Sequence, residues 1–129
     1  MLNPTGLNIR GTDKWGNGAF KAPRGDHIHH GLDFICLPGQ EVYAPITGHV
    51  KREARPYASG DFSGVLITSP RMDIKMFYFE LDKSLIGTEV KRGQVIGNAQ
   101  DIGRRYPGIT PHVHLEIVLV DPELFLNIP

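Results

Sequence analysis

The residues best equipped for chemistry in this 129-residue chain are its six histidines and the carboxylates beside them. Two pieces stand out: His29-His30-Gly31-Leu32-Asp33 and, eighty positions on, His112-Val113-His114. Side chains of an extended strand alternate between faces, so His112 and His114 point the same way, roughly 6–7 Å apart. One can hold a metal ion while the other reaches a group beside it. His29 and Asp33 would also share a strand face, but they meet at one ion only if the chain bends. Gly31 between them makes a bend or a close backbone approach inexpensive. Two imidazoles and a carboxylate, here His29, Asp33 and His114, form a three-ligand set for zinc and leave a fourth position for water. That open position separates a catalytic zinc site from a closed structural one.

Such a set needs stiff elements to hold it. The run 112–120, HVHLEIVLV, is the strongest strand signal in the chain. Its odd positions Val113, Leu115, Ile117 and Leu119 read as a core face. Its even positions, His112, His114, Glu116, Val118 and Val120, read as the floor of a cleft. Residues 32–37 form a short apolar run closed by Pro38-Gly39. Strands are expected around Val42 and Ala44, from the lead-in Ile46–Val50 to about Arg55, and over Val65–Thr68, with Gly48 marking a tight turn or bulge. The aromatic run Ile74–Leu81 follows the Ser69–Asp73 turn and completes a hairpin. Apolar groups on both faces of that run suit a central strand. Glu80 then stands out, because an unpaired carboxylate is costly to bury. Tyr57 and Tyr106 sit on expected loops, at 56–64 and 98–111, placed to line a groove. Residues 1–28, broken by five glycines, read as an irregular segment wrapped over a surface, with Trp15 and Phe20 as packing anchors.

Length and composition set bounds. One domain spans 1–129, with its motif-bearing core at 27–120. Apolar residues make up 40% and charged residues 22%, the balance of a compact globule. Fifteen glycines and ten prolines favour tight turns and strands over long helices. Formal charge is zero, so no basic surface for nucleic acid is implied. The single cysteine, Cys36, excludes an internal disulfide and a cysteine metal cluster; within Phe34-Ile35-Cys36-Leu37 it reads as a buried small hydrophobe. Neither a signal peptide nor a membrane-spanning run is visible. The expectation is a protein that works where it is made, leaves by a signal-independent route, or meets a cell wall after delivery or lysis.

The two histidine pieces also carry a resemblance. His29-His30-Gly31-Leu32-Asp33 is similar to the His-x-Gly-x-Asp motif of the lysostaphin-type (LytM-like) zinc metallopeptidases, and His112-Val113-His114 to their His-x-His. Val42-Tyr43-Ala44-Pro45 with Gly48-His49-Val50, and Val90-Lys91-Arg92-Gly93-Gln94-Val95-Ile96-Gly97, resemble two further passages of that family in the same order. Within it, Lys75-Met76-Phe77-Tyr78 and Tyr106-Pro107-Gly108-Ile109 resemble the leukocyte cell-derived chemotaxin branch. The resemblance implies a mainly β domain, a small antiparallel sheet carrying an open groove walled by loops. It implies Zn2+ on His29, Asp33 and His114, with His112 beside the metal assisting proton transfer. It also implies hydrolysis of peptide bonds in bacterial peptidoglycan.

One position departs from the family. Active members carry Tyr-x-His-Leu where this chain has Tyr78-Phe79-Glu80-Leu81. Glu80 therefore has two readings: a general base near a zinc-bound water, or a carboxylate paired with a neighbouring histidine or arginine. The chemotaxin branch, which resembles a zinc-binding non-peptidase, lacks the same histidine. Two functions follow: a zinc endopeptidase acting on peptidoglycan, or a zinc-stabilised module recognising a glycan or protein receptor. If the chain is a toxin delivered between bacteria, a cognate inhibitor or immunity protein is an expected partner. His27, His30 and His49 read as surface or hydrogen-bonded histidines.

Overall fold

The computed structural model describes residues 1–8, 10–13, 16–17, 23–24, 27–28 and 31–120. In chain order its strands are β1 (Thr12–Asp13), β2 (Gly16–Asn17), β3 (Pro23–Arg24), β4 (His27–Ile28), β5 (Leu32–Ile35), β6 (Glu41–Tyr43), β7 (Gly48–Glu53), β8 (Gly64–Thr68), β9 (Met72–Phe77), β10 (Phe79–Leu81), β11 (Glu89–Val90), β12 (Val95–Ala99) and β13 (His112–Val120). Two 3-10 turns, Lys83–Leu85 and Ile102–Arg104, are each opened by an aspartate, Asp82 or Asp101, whose carboxylate accepts a backbone N–H two residues on. The mainly β architecture expected from the glycine and proline content is what forms.

Six strands make an antiparallel sheet in the order β11-β7-β8-β9-β13-β5, and three make a smaller one, β10-β12-β6. One apolar cluster draws on both, with Val50, Val65, Ile67, Ile74, Met76, Val113 and Leu115 from the large sheet and Val42, Phe79, Leu81, Ile96 and Ala99 from the small one. Each side chain in this cluster is nearly or wholly removed from water, which supplies the main drive for closing the sheets together. Cys36 is fully buried, and burial pushes its thiol up to about 11.

The segment expected to be irregular contains two minimal antiparallel pairs, β1 with β2 and β3 with β4. Its first residues strap both sheets. Leu2 and Pro4 bond to Pro45 and Tyr43 beside the small sheet, and Asn8 and Arg10 bond to Ile35 and Asp33 along β5. Trp15 and Phe20 lie outside the described residues. Gly48 opens β7, where a Cβ would come within 2.6 Å of the Thr68 carbonyl oxygen; it marks close strand contact, and the irregularity of β7 falls later, between Val50 and Arg52.

Two expectations need correction. Ile117, expected on the core face of β13, is 46% exposed: it pairs with Ile74 on β9, but β5 covers β13 on the other side only as far as Leu115. The aromatic run is two strands. Tyr78 takes φ +77, the only non-glycine in the left-handed region among the described residues. There the chain leaves the large sheet and enters the small one. Parity is reset, so Phe79 and Leu81 are buried and Glu80 is exposed, paired in register with Asn98. The carboxylate that seemed to sit on an apolar strand is in water.

Candidate metal centre and groove

β13 lies between β9 and β5, and the register sets Asp33 directly opposite His114, with His112 opposite Ile35. Directly paired residues share a face, so Asp33, His112 and His114 converge. His114 Nδ1 stands 2.8 Å from Asp33 Oδ1, and His114 Nε2 stands 2.9 Å from Glu116 Oε1. Phe77 stacks on the imidazole at 6.0 Å between ring centres. On the other side the backbone at Gly31 lies against the same ring: a Cβ there would come within 2.8 Å of His114 Cε1 and would also strike the Leu115 carbonyl. Only glycine lets the backbone at residue 31 approach His114 this closely.

Asp33 is 1% exposed and has a second partner that the sequence patterns did not reveal. Arg10, itself 1% exposed, places Nε and a terminal guanidinium nitrogen each 3.1 Å from Asp33 Oδ2. The Arg10 backbone N–H donates to the Asp33 carbonyl at 2.7 Å. A charge this deeply buried requires a partner, and Asp33 supplies it.

His112 is 4% exposed, and its Nδ1–H donates to the Thr110 carbonyl at 2.7 Å. That bond fixes the tautomer and leaves the Nε2 lone pair, 3.6 Å from Asp33 Oδ2, facing the site. Burial holds His112 below the ordinary histidine range, outweighing the pull of Asp33. Burial also pushes His114 down, but its bonds to Asp33 and Glu116 outweigh it and the net direction is up. Two histidines on one strand face thus have opposite electrostatic leanings.

Next to His112 stands a wall of phenols. The Tyr78 ring meets His112 edge-on at 5.5 Å. Tyr57 Oη lies 3.0 Å from Tyr78 Oη and 2.6 Å from Tyr106 Oη. Arg105 lays its guanidinium 3.7 Å over the Tyr57 ring. Burial, reinforced by its neighbours, raises Tyr57 above the usual tyrosine range, and burial raises Tyr78.

The sequence pattern of peptidase family M23 matches residues 27–123. The chain belongs to that family. It is 36% identical over 121 residues to leukocyte cell-derived chemotaxin-2 of Bos taurus, covering 92% of this chain and 79% of that one. Among solved structures, it is similar to the catalytic domain of the antimicrobial peptidase lysostaphin from Staphylococcus simulans (TM-score 0.59, 23% identity, 88% of this chain and 90% of that one). It is also similar to a zinc-containing peptidase from Vibrio cholerae (TM-score 0.56, 27% identity, 91% of this chain and 35% of that one). The chain spans about a third of the length of some solved chains it matches.

In this M23 site the structure brings together Asp33, His112 and His114. His29 and His30 lie outside the described residues; β4 ends one residue before His29. Among the described residues no three donors meet at one point. The chemistry of the two described donors nonetheless suits zinc. An imidazole nitrogen and a carboxylate oxygen face each other, and the far ring nitrogen bonds to a carboxylate, the usual outer partner of a metal-bound histidine. Tyr57 and Tyr106, expected on loops, stand together and are joined through Tyr57 to Tyr78, the one of the three whose ring meets His112. Glu80 is not part of this constellation, being exposed on β10. His49 is exposed on β7. Of the residues the sequence reading missed, Tyr78 had a signal, its place at the start of the departed Tyr-x-His-Leu. Arg10 had none, being 23 positions from its partner.

Proposed function

We propose that this M23 domain is a zinc-dependent endopeptidase that cleaves peptide bonds of bacterial peptidoglycan. The observation that carries the reading is the pairing across β5 and β13: Asp33 Oδ1 faces His114 Nδ1 at 2.8 Å, with the neutral-leaning His112 beside them. Asp33 and His114, with His29, would hold the ion. Zinc, when bound, supplies Lewis-acid polarisation of a carbonyl and lowers the pKa of a bound water. His112 is the proton carrier. Thr110 locks its tautomer, its Nε2 is free of the backbone bond, and burial keeps it ready to accept a proton. Once protonated, the same imidazole can donate to the leaving amine. Tyr78 shields one side of His112, while Tyr57 and Tyr106 offer hydroxyls along the wall where an extended peptide would lie. Support from relatives lies in the family membership and in likeness to lysostaphin and to a zinc-containing peptidase.

A second reading, a zinc-binding module that recognises a glycan or a protein receptor, has one observation in its favour. At the β9–β10 corner the Tyr78 ring packs against His112 and Glu80 turns to solvent, so among the described residues no imidazole besides that of His114 stands near His112. Likeness to chemotaxin-2 leans the same way. Release of soluble peptides from purified peptidoglycan by the zinc-loaded protein decides between the two. The endopeptidase reading expects release that His112→Ala abolishes while zinc stays bound. Zinc bound with no release from the wild type leaves the recognition module.

A further inference from the structure

Asp33 and His114 each have two atoms able to ligate an ion, and in each case a charged side chain occupies one of them. Arg10 engages Asp33 at Oδ2, through Nε and a terminal nitrogen both at 3.1 Å, while Oδ1 faces His114. Glu116 engages His114 at Nε2, at 2.9 Å, while Nδ1 faces Asp33. Asp33 Oδ1 and His114 Nδ1 stand 2.8 Å apart. We propose that Arg10 and Glu116 are positioning residues that decide which atoms a divalent ion meets: one Asp33 oxygen, Oδ1, and the Nδ1 of His114. Arg10 blocks Oδ2, so the carboxylate binds through one oxygen rather than two. Glu116 accepts from the Nε2–H of His114, which holds the proton on that nitrogen and leaves Nδ1 to supply the lone pair when an ion is bound.

The sequence order explains how each is delivered. Glu116 is two residues beyond His114 on β13, hence on the same face. Arg10 arrives on the N-terminal strap. The Arg10 N–H donates to the Asp33 carbonyl and the Ile35 N–H to the Asn8 carbonyl, which hold the strap along β5 so that the guanidinium enters beneath Asp33. The charges of the two residues are opposite, so together they leave the net charge of the ligand set unchanged. Their effect is on orientation, and that distinguishes them from a simple electrostatic contribution to affinity.

This inference rests on the metal reading above, and the test separates the two. Wild-type protein and the variants Glu116→Gln, Arg10→Lys and Arg10→Met are titrated with Co2+ and Zn2+. The readouts are the intensity of the Co2+ d–d bands, the Zn2+ Kd by chelator competition, and the melting temperature with and without metal. A wild type that binds neither ion ends the metal reading and this inference with it. With wild-type binding in hand, Glu116→Gln is expected to weaken Zn2+ roughly 10–100-fold, the usual cost of losing an outer partner, with the metal-free melting temperature unmoved. Arg10→Lys, which keeps charge but loses the fork, is expected to weaken the d–d bands as Asp33 takes up a second Co–O contact. Arg10→Met should do so more strongly, and Arg10→Lys stands in for it should that variant fail to fold. A merely structural role would lower the melting temperature with and without metal alike and leave the Co2+ spectrum as in the wild type. Wild-type Zn2+ affinity in Glu116→Gln together with a wild-type Co2+ spectrum in Arg10→Lys overturns the proposal.

Discussion

Two walls flank His112, and they are built from opposite chemistry. On one side stands a line of charges, Arg10, Asp33, His114 and Glu116, linked by contacts of 2.8 to 3.1 Å. On the other stand Tyr57, Tyr78 and Tyr106, joined through their hydroxyls and by ring contact between Tyr57 and Tyr78. The ionic wall demands partners where it is buried: remove Asp33 and the Arg10 guanidinium loses that anion. The phenolic wall carries no formal charge, and burial raises Tyr57 and Tyr78 above the usual tyrosine range. Between them His112 is desolvated without a carboxylate in hydrogen-bond contact, which is how one strand can carry a histidine pushed down beside one pushed up. A protein needing a fixed cation site next to a free base would separate the two environments in this way.

The sharpest way to break the comparison is at Asp33. Asp33→Asn leaves the Arg10 guanidinium buried without its anion, and breaking a buried pair from one side costs about 3–5 kcal/mol. Urea unfolding should show that loss in the metal-free protein, and zinc stoichiometry should fall toward zero in the same variant. A loss under about 1 kcal/mol would mean that the ionic wall is looser than its distances imply.

The histidines themselves give the next largest effect. His114→Ala should abolish zinc binding and hydrolysis together. His112→Ala should keep most of the zinc and lose hydrolysis by roughly 10²–10⁴-fold, the range for removing a general acid–base group. Equal loss of metal in the two variants would erase the distinction between the walls.

How much of this was legible beforehand follows from the same division. The period-2 pattern of 112–120 placed both histidines on one face, and Gly31 carried a readable signal for close approach, realised as contact with the His114 ring. Both are local facts, visible within a few residues. Arg10 was invisible because a bond across 23 positions leaves no periodic trace. Tyr78 was misplaced for a different reason. The aromatic run alternates well enough to read as one strand, and nothing in the types of Phe77, Tyr78 or Phe79 announces a left-handed residue. The surroundings impose it: the Tyr78 N–H donates to Ser63 and its carbonyl accepts from Gln100. The same slip of parity carried Glu80 to the other face, while Ile117 is exposed because β5 stops opposite Leu115.

The phenolic wall should yield smaller numbers. Tyr57→Phe removes the hydroxyl shared by Tyr78 and Tyr106, at about 1–2 kcal/mol for two net hydrogen bonds, read as a shift of the urea midpoint. Its pH response has a definite sign. Tyr57 and Tyr78 are raised in the fold, so their contribution is complete below the ordinary tyrosine pKa near 10 and is lost as pH climbs beyond it. Absorbance at 295 nm should show these two ionising only as the protein unfolds, with the urea midpoint falling above about pH 10. Two tyrosines titrating freely in the folded protein would dissolve the contrast between the walls.

The smallest expected effect is the most informative about activity. Glu80 stands where active relatives of the resemblance carry histidine, yet its side chain lies on the exposed face of β10, between Phe79 and Leu81, which are buried. A solvated carboxylate on that face contributes little, so Glu80→Ala should change stability by no more than about 0.5 kcal/mol and leave any hydrolysis within twofold. Glu80→His should be equally silent, because a new imidazole there would point away from His112 as long as Tyr78 keeps φ +77. Restoring a second groove histidine therefore requires moving the corner and not the residue. A gain in peptidoglycan release from Glu80→His alone would mean that the β9–β10 junction turns over in solution, bringing residue 80 into the groove and Tyr78 out of it.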